Sequence, residues 1–197
     1  MRMLATDLLD HQHREVEKLF EEIEKAKDKR QKTRLFSELL ANLVAHDAIE
    51  REVFYPACQE RLGRTDLLGE ALVEHGLVEF SLYQADRSLG DDDFDFKVQV
   101  LSEVVSHHVE EEEKELFPKV KKALGKELLA ELGAKMEAKF EEAKKADCRA
   151  MLLDNLRQVL AGALETKKHA PKRDPNNGSR QGKRTSPVKA QASKSAN

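Results

Sequence analysis

Four histidines constrain this chain more than any other feature. His13, His46, His75 and His108 are each followed four residues later by a glutamate: Glu17, Glu50, Glu79 and Glu112. The second pair repeats the first at an offset of 62 residues, and Pro56 and Pro118 keep the same offset. Most other positions do not match at that offset, so what repeats is a placement of ligand-type side chains rather than a general sequence. Residues at i and i+4 on an α-helix differ by about 40° in direction and sit one turn apart. An imidazole and a carboxylate so spaced can converge on one ion.

The surrounding pattern supplies the helices. Residues 7–27 keep Leu8, Leu9, Val16, Leu19, Phe20 and Ile23 on one stripe, with Thr6 or Asp7 as the expected cap. After the polar turn KAKDKR, a second helix carries Leu35, Phe36, Leu39, Leu40, Leu43, Val44, Phe54 and Tyr55, ended by Gly63. Thr65-Asp66 caps a third, with Leu68, Leu72, Val73, Leu77, Val78, Phe80 and Leu82 as its apolar positions, and it closes at GDDDFD. A fourth runs from about Phe96 through Val100, Leu101, Val104, Val105, Val109, Leu116 and Phe117 to Leu124, where Gly125 interrupts. Four similar helices with short connections predict an all-α fold, an antiparallel up-down-up-down four-helix bundle over residues 1–125.

In such a bundle, residues equidistant from their connecting turn lie at one height. The midpoints between successive histidines fall at Lys29-Arg30, Glu60-Arg61 and Asp91-Asp92, each in or beside a predicted turn. All four imidazoles are therefore expected in one layer, with Glu50 and Glu112 contributed by alternate helices. Two carboxylates and several imidazoles in a bundle core suit two adjacent divalent ions bridged by the carboxylates. Without metal, burying these groups costs several kcal/mol per uncompensated charge. Glu79 is a further candidate ligand, and Glu17 ranks below it. His107 points about 100° away from His108, toward the surface or behind the ligands, and His11 faces away from His13. Pro56 and Pro118 each lack a backbone donor and are expected to bend or end their helices past the metal layer.

Beyond Gly125 the pattern stays helical to about residue 165, with a break expected near Gly133 or Asp147. This 126–165 extension either packs as a fifth helix or projects. From Thr166 the composition turns to Lys, Ser, Pro, Asn, Gln and Gly. Nine basic residues there face one acid, Asp174, so the 166–197 tail carries +8 and is expected to be disordered. Residues 1–165 carry −11 in compensation. Cys58 and Cys148 are too few for a disulfide framework and read as reduced thiols. No apolar run is long enough to cross a membrane, and acids and histidines occupy the start, so a cytoplasmic protein is expected.

Taken together, DHQHREVEKLF around His13, AHDAIEREVFYP around His46 and Glu50, EHGLVEF around His75 and HHVEEEEKELFP around His108 and Glu112 resemble the hemerythrin-like proteins. The likeness is to the bacterial HHE cation-binding branch and covers about residues 5–140. It implies a non-haem di-iron centre, two Fe ions joined by an oxo, hydroxo or water bridge, with Mn or Zn as substitutes. His13 and His46 would hold one iron, His75 and His108 the other, and Glu50 and Glu112 would bridge. The oxygen-carrying members have a second His one turn after the third-helix His, where this chain has Glu79. Their fourth-helix carboxylate is an Asp five residues after its His, where this chain has Glu112 at four. More carboxylate makes a harder, more anionic site that favours the ferric state, which argues against reversible oxygen carriage.

Three functions are open at this point. One is a di-iron protein that binds or reacts with dioxygen, peroxide or nitric oxide. Another is a di-iron oxidase or peroxidase, for which the sequence offers no clear acid-base group beyond the ligands. The third is a nucleic-acid or partner-binding module working through the basic tail, by phosphate contacts alone because aromatics are absent from it. A monomer is the default expectation, with 126–165 the pairing surface of any dimer.

Overall fold

The computed structural model describes residues 3–161, and all of its regular structure is helical. Helices α1 (Ala5–Lys25), α2 (Lys29–Ile49), α3 (Tyr55–Leu62), α4 (Asp66–Arg87), α5 (Phe94–Glu111), α6 (Phe117–Lys145) and α7 (Cys148–Leu160) follow one another. A π turn, Glu50–Phe54, joins α2 to α3, and a second, Glu112–Leu116, joins α5 to α6. Four rods result: α1, α2 with α3, α4, and α5 with α6. No helix among the described residues is long and apolar enough to cross a membrane.

The helix ends follow local chemistry. Asp28 caps α2 by accepting from the Gln31 amide at 3.0 Å, and Thr65 caps α4 by accepting from the Leu68 amide at 3.3 Å. Gly63 closes α3 with φ +76°, a conformation that favours glycine. At α1 the expected cap is displaced. Leu4 occupies that position without a side-chain hydrogen bond, and Thr6 lies inside the helix.

Pro56 and Pro118 do not end their rods. Each stands at the first turn of the helix after a π turn, where its missing donor is harmless. In an α-helix each ring would press on the carbonyl four residues back. The widened turn relieves that contact, with the Tyr55 amide bonding Glu50 O and the Phe117 amide bonding Glu112 O.

Two apolar clusters fill the bundle on either side of the histidine layer. One gathers Leu19, Phe20, Ile23, Leu35, Phe36, Leu39, Leu40, Leu82, Phe94 and Leu101. The other gathers Leu9, Ala45, Ile49, Phe54, Tyr55, Leu116, Phe117 and Val120, and it includes Leu129, Leu132, Met136 and Phe140 from beyond Gly125. Gly125 breaks α6 with φ +73° and ψ +167°, and the chain past it packs back onto the bundle as part of the core. The next break falls at Asp147, which caps α7 through the Arg149 and Ala150 amides. Gly133 stays helical. The tail beyond residue 161, including the expectation of disorder over 166–197, lies outside the described residues.

Some apolar residues expected in the core face outward instead. Val73, Leu77 and Phe80 on α4, with Phe96 and Val100 on α5, are each at least half exposed. The inner face of α4 carries His75 and Glu79 together with Leu68, Ala71, Leu82 and Ala85, all buried, which leaves Val73, Leu77 and Phe80 on the outside.

Candidate metal centre

His13, His46, His75 and His108 come from α1, α2, α4 and α5, and all four are buried. Glu50 and Glu112, the first residues of the two π turns, are also buried. Each Nε2 atom points inward. His46 and His75 both approach Glu50 Oε2, at 3.1 and 3.2 Å. His13 and His108 stand 3.5 and 3.8 Å from Glu112 Oε2, and the Nε2 atoms of His75 and His108 are 3.1 Å apart. Two ligand groups emerge: His13, His46, Glu50 and Glu112 in one, and Glu50, His75 and His108 in the other. Glu50 belongs to both.

Glu79 is buried but belongs to neither group; one of its oxygens faces Arg51 Nη2 at 3.2 Å. Glu17 is exposed and pairs with Arg14. His11 is exposed beside Glu15, and His107 is exposed beside Glu74 and Glu111.

The outward nitrogens matter as much as the inward ones. His13 Nδ1 donates to Glu113 at 2.8 Å and His46 Nδ1 to Gln12 at 2.8 Å. His75 Nδ1 donates to Asp47 at 2.6 Å and His108 Nδ1 to Glu74 at 2.8 Å. With Nδ1 committed to these acceptors, each ring can turn an Nε2 lone pair to the interior once that nitrogen gives up its proton, the arrangement that orients imidazoles toward metals. These partners form a closed cycle: α1 supports the histidine of α2, α2 that of α4, α4 that of α5, and the second π turn that of α1. The sequence reading missed all four. Their signal is adjacency, since Gln12, Asp47, Glu74 and Glu113 each flank a His or Glu of the cluster. A step of one residue turns about 100° around a helix, enough to reach the back of the ligand on the next rod.

Tyr55, an apolar-stripe position of the second predicted helix, also reaches the cluster. Its hydroxyl donates to Glu112 Oε1 at 2.8 Å and lies 2.9 Å from His75 Nε2, inside the second ligand group. Asp47 has further support. Arg51 Nε donates to it at 2.7 Å, and Asn155 of α7 donates to its other oxygen at 2.9 Å.

The electrostatics are those of a cluster lacking positive charge at its middle. Burial, followed by the Glu50 charge, raises Glu112 well above the usual carboxylate range. Burial also opposes ionisation of Glu50, yet His46 and His75 hold it well below that range. One carboxyl of the pair is thus favoured charged and the other neutral. Burial lowers His13 well below normal, and the neighbouring His46 lowers it further. For His75 burial also lowers the pKa, but bonds to Asp47 and Glu50 outweigh it and push the ring up to about 10. Both oxygens of Glu50, Oε2 of Glu112 and Nε2 of His13 are buried without a hydrogen-bond partner. Orphaned donor atoms aimed at one point are what a cation satisfies, so these residues fit a bound metal.

The fold and this cluster define an all-helical cation-binding bundle. A family model described as the hemerythrin HHE cation binding domain matches residues 4–120, and the chain belongs to that family. Among solved structures it is similar to a hemerythrin HHE cation binding domain-containing protein from Mycobacterium kansasii, an Rv2633c homolog. The two share 27% identity with a TM-score of 0.67, over 78% of this chain and 99% of that one. None of the curated proteins compared matches.

Proposed function

We propose that the cluster holds two irons and that the ferrous centre binds or reacts with a small oxidant, dioxygen, peroxide or nitric oxide, in sensing, scavenging or storage. One observation carries this reading: a cavity of about 40 Å³ lies against all four histidines, walled by Val16, Leu43, Val44, Val78, Leu82, Val105 and Val109. A water needs roughly 10–15 Å³ by this measure, so the space suits a diatomic or peroxide and is too small for an organic substrate. Its wall is largely apolar, with Asp47, Glu79 and Asn155 the polar residues beside the histidines, and favours a small neutral guest.

His13 and His46 would hold one ion, His75 and His108 the other, with Glu50 and Glu112 shared between them. Tyr55, whose hydroxyl lies 2.9 Å from His75 Nε2, would stand beside the residues that hold the second ion. Iron bound there would supply the electrons that a small oxidant accepts. The protein's part is to fix the imidazoles through their outer acceptors, to aim the Tyr55 hydroxyl proton at Glu112, and to limit access by size. Manganese or zinc suits the same donors by type.

Iron-loaded protein prepared without oxygen provides the test. Two irons per chain, an absorption change on adding nitric oxide or oxygen, and loss of both in His46→Ala are expected. Protein that retains no iron, or whose spectrum ignores all three ligands, overturns the reading. Sustained peroxide consumption well above that of free iron, lost in His46→Ala, would move the assignment to a di-iron peroxidase.

A further inference from the structure

Outside the buried cluster a second set of nitrogen and oxygen donors converges at the surface. His107 and Glu111 stand one turn apart on α5, and Glu74 reaches them from α4. His107 Nε2 lies 3.5 Å from Glu74 Oε1 and 3.5 Å from Glu111 Oε1. These separations are too long for hydrogen bonds between charged partners, which close to about 2.7–2.9 Å. The same Glu74 does close on its other neighbour, accepting from His108 Nδ1 at 2.8 Å. Ligands held tetrahedrally at about 2.0–2.2 Å from a metal stand roughly 3.3–3.6 Å apart. The two separations at His107 match those of ligands about an ion, and all three side chains offer donor atoms within 4.8 Å of one another. An open groove leads to the three side chains, with Asp66 and Glu70 adding negative charge along it and Arg64 the one opposing charge among its lining residues.

We propose that His107, Glu74 and Glu111 form a surface site for a divalent transition-metal cation, distinct from the buried cluster and joined to it through Glu74. The imidazole sets the site apart from a purely acidic patch, because nitrogen selects transition metals over calcium and magnesium. One Glu74 oxygen faces the surface ion while the other orients His108. A cation on the outer oxygen withdraws charge from the carboxylate and weakens its hold on the His108 N–H, so occupancy of the two sites is linked. The site also offers an entering ion a first stop next to a buried ligand. That entry role rests on the metal-centre reading; the surface site itself does not.

The experiment is calorimetric titration of chelator-stripped, full-length protein with Zn²⁺ at neutral pH, beside His107→Ala and Glu111→Gln. Both substitutions fall on partly or fully exposed side chains outside the buried ligand groups. The expected result is two tight equivalents and one weaker one in the wild type, with only the weaker one lost from each variant. Broadening of the His107 ring signals by substoichiometric Mn²⁺ is expected in the NMR spectrum of the wild type. Equal numbers of equivalents in all three proteins, with His107 signals unmoved, overturn the proposal. Loss of the tight equivalents everywhere, with a His107-dependent one remaining, would instead remove the buried-centre reading and leave the surface site standing.

Discussion

Asp47 joins more parts of the centre than any other residue outside the ligand groups. It accepts from His75, Arg51 and Asn155, tying α2, α4 and α7 together at one carboxylate. Replacing an outer-sphere partner of a metal-bound histidine typically costs 10–100-fold in affinity, about 1.4–2.8 kcal/mol. Asp47→Ala is expected to weaken metal binding by that factor in competition with a chelator, and Asp47→Asn, which keeps an acceptor, by less. A pH dependence also belongs at this scale. In the metal-free protein His75 is raised from 6.5 to about 10, and Glu79 from 4.5 to about 7, the latter by burial first and by Asp47 second. A group whose pKa is raised by folding stabilises fully below its unfolded value and loses that contribution as pH climbs through the folded one. Glu50, His13 and His108 shift downward, so their losses come on acidification. Between pH 7 and pH 10 the metal-free protein should therefore lose stability to urea. A curve that rises over that window would contradict the buried, protonated His75.

At the scale of elements, the two π turns decide where Glu50 and Glu112 sit. Each begins at a Glu and is followed by a proline at the sixth position, so Glu50 and Glu112 take equivalent places on two rods. The spacing was visible in the sequence; its consequence was not, because a proline inside a helical pattern is usually read as a break. The outward stripe on α4 has a related cause. Periodicity shows that Leu77 and His75 lie on different faces, but which face is the core depends on what the other rods present. His75 meets Glu50 of the second rod and His108 of α5, so the face bearing His75 and Glu79 turned inward with Leu68, Ala71 and Leu82. Gly133 illustrates a different limit. A Cβ there would come within 2.2 Å of Met3 O and 3.0 Å of the Ala5 amide nitrogen, backbone atoms with little room to move. Glycine inside a helix normally costs about 1 kcal/mol relative to alanine, so Gly133→Ala would ordinarily stabilise. Here it is expected to destabilise by about 1–3 kcal/mol through overpacking, measurable as a lower urea midpoint with an unchanged slope.

For the whole molecule, metal and fold are expected to be linked. The core encloses four imidazoles and two carboxylates, of which His13 Nε2, both Glu50 oxygens and Glu112 Oε2 lack hydrogen-bond partners, and a bound cation removes that cost. Ligand that binds only the folded chain stabilises it by about 2.7 kcal/mol at one hundred times its dissociation constant. Stripping the metal with a chelator should lower the melting temperature by several degrees. The difference should widen from pH 7 to pH 9, because metal displaces ligand protons more easily as pH rises. Equal melting temperatures with and without metal would mean that the cluster tolerates its own charges. The C-terminal part of the fold belongs to this account. The family match ends at residue 120, yet Leu129, Met136 and Phe140 fill one core cluster and Leu152 the other. Asn155 lines the cavity beside the histidines.

Sequence alone determined the helical class, the four rods, the break at Gly125 and the inward layer of histidines with Glu50 and Glu112. Each follows from a period of 3.6 residues and from equal distances to turns, which are properties of a single chain segment and its neighbours. Tertiary structure decided the rest: the outer acceptors Gln12, Asp47, Glu74 and Glu113, the place of Tyr55 among the ligands, Glu79 facing Arg51, and α7 at the cavity wall. Those depend on which side chains from different rods arrive at the same point. That is fixed by packing across the bundle, through contacts between residues as far apart as Asp47 and Asn155, and no local period encodes it.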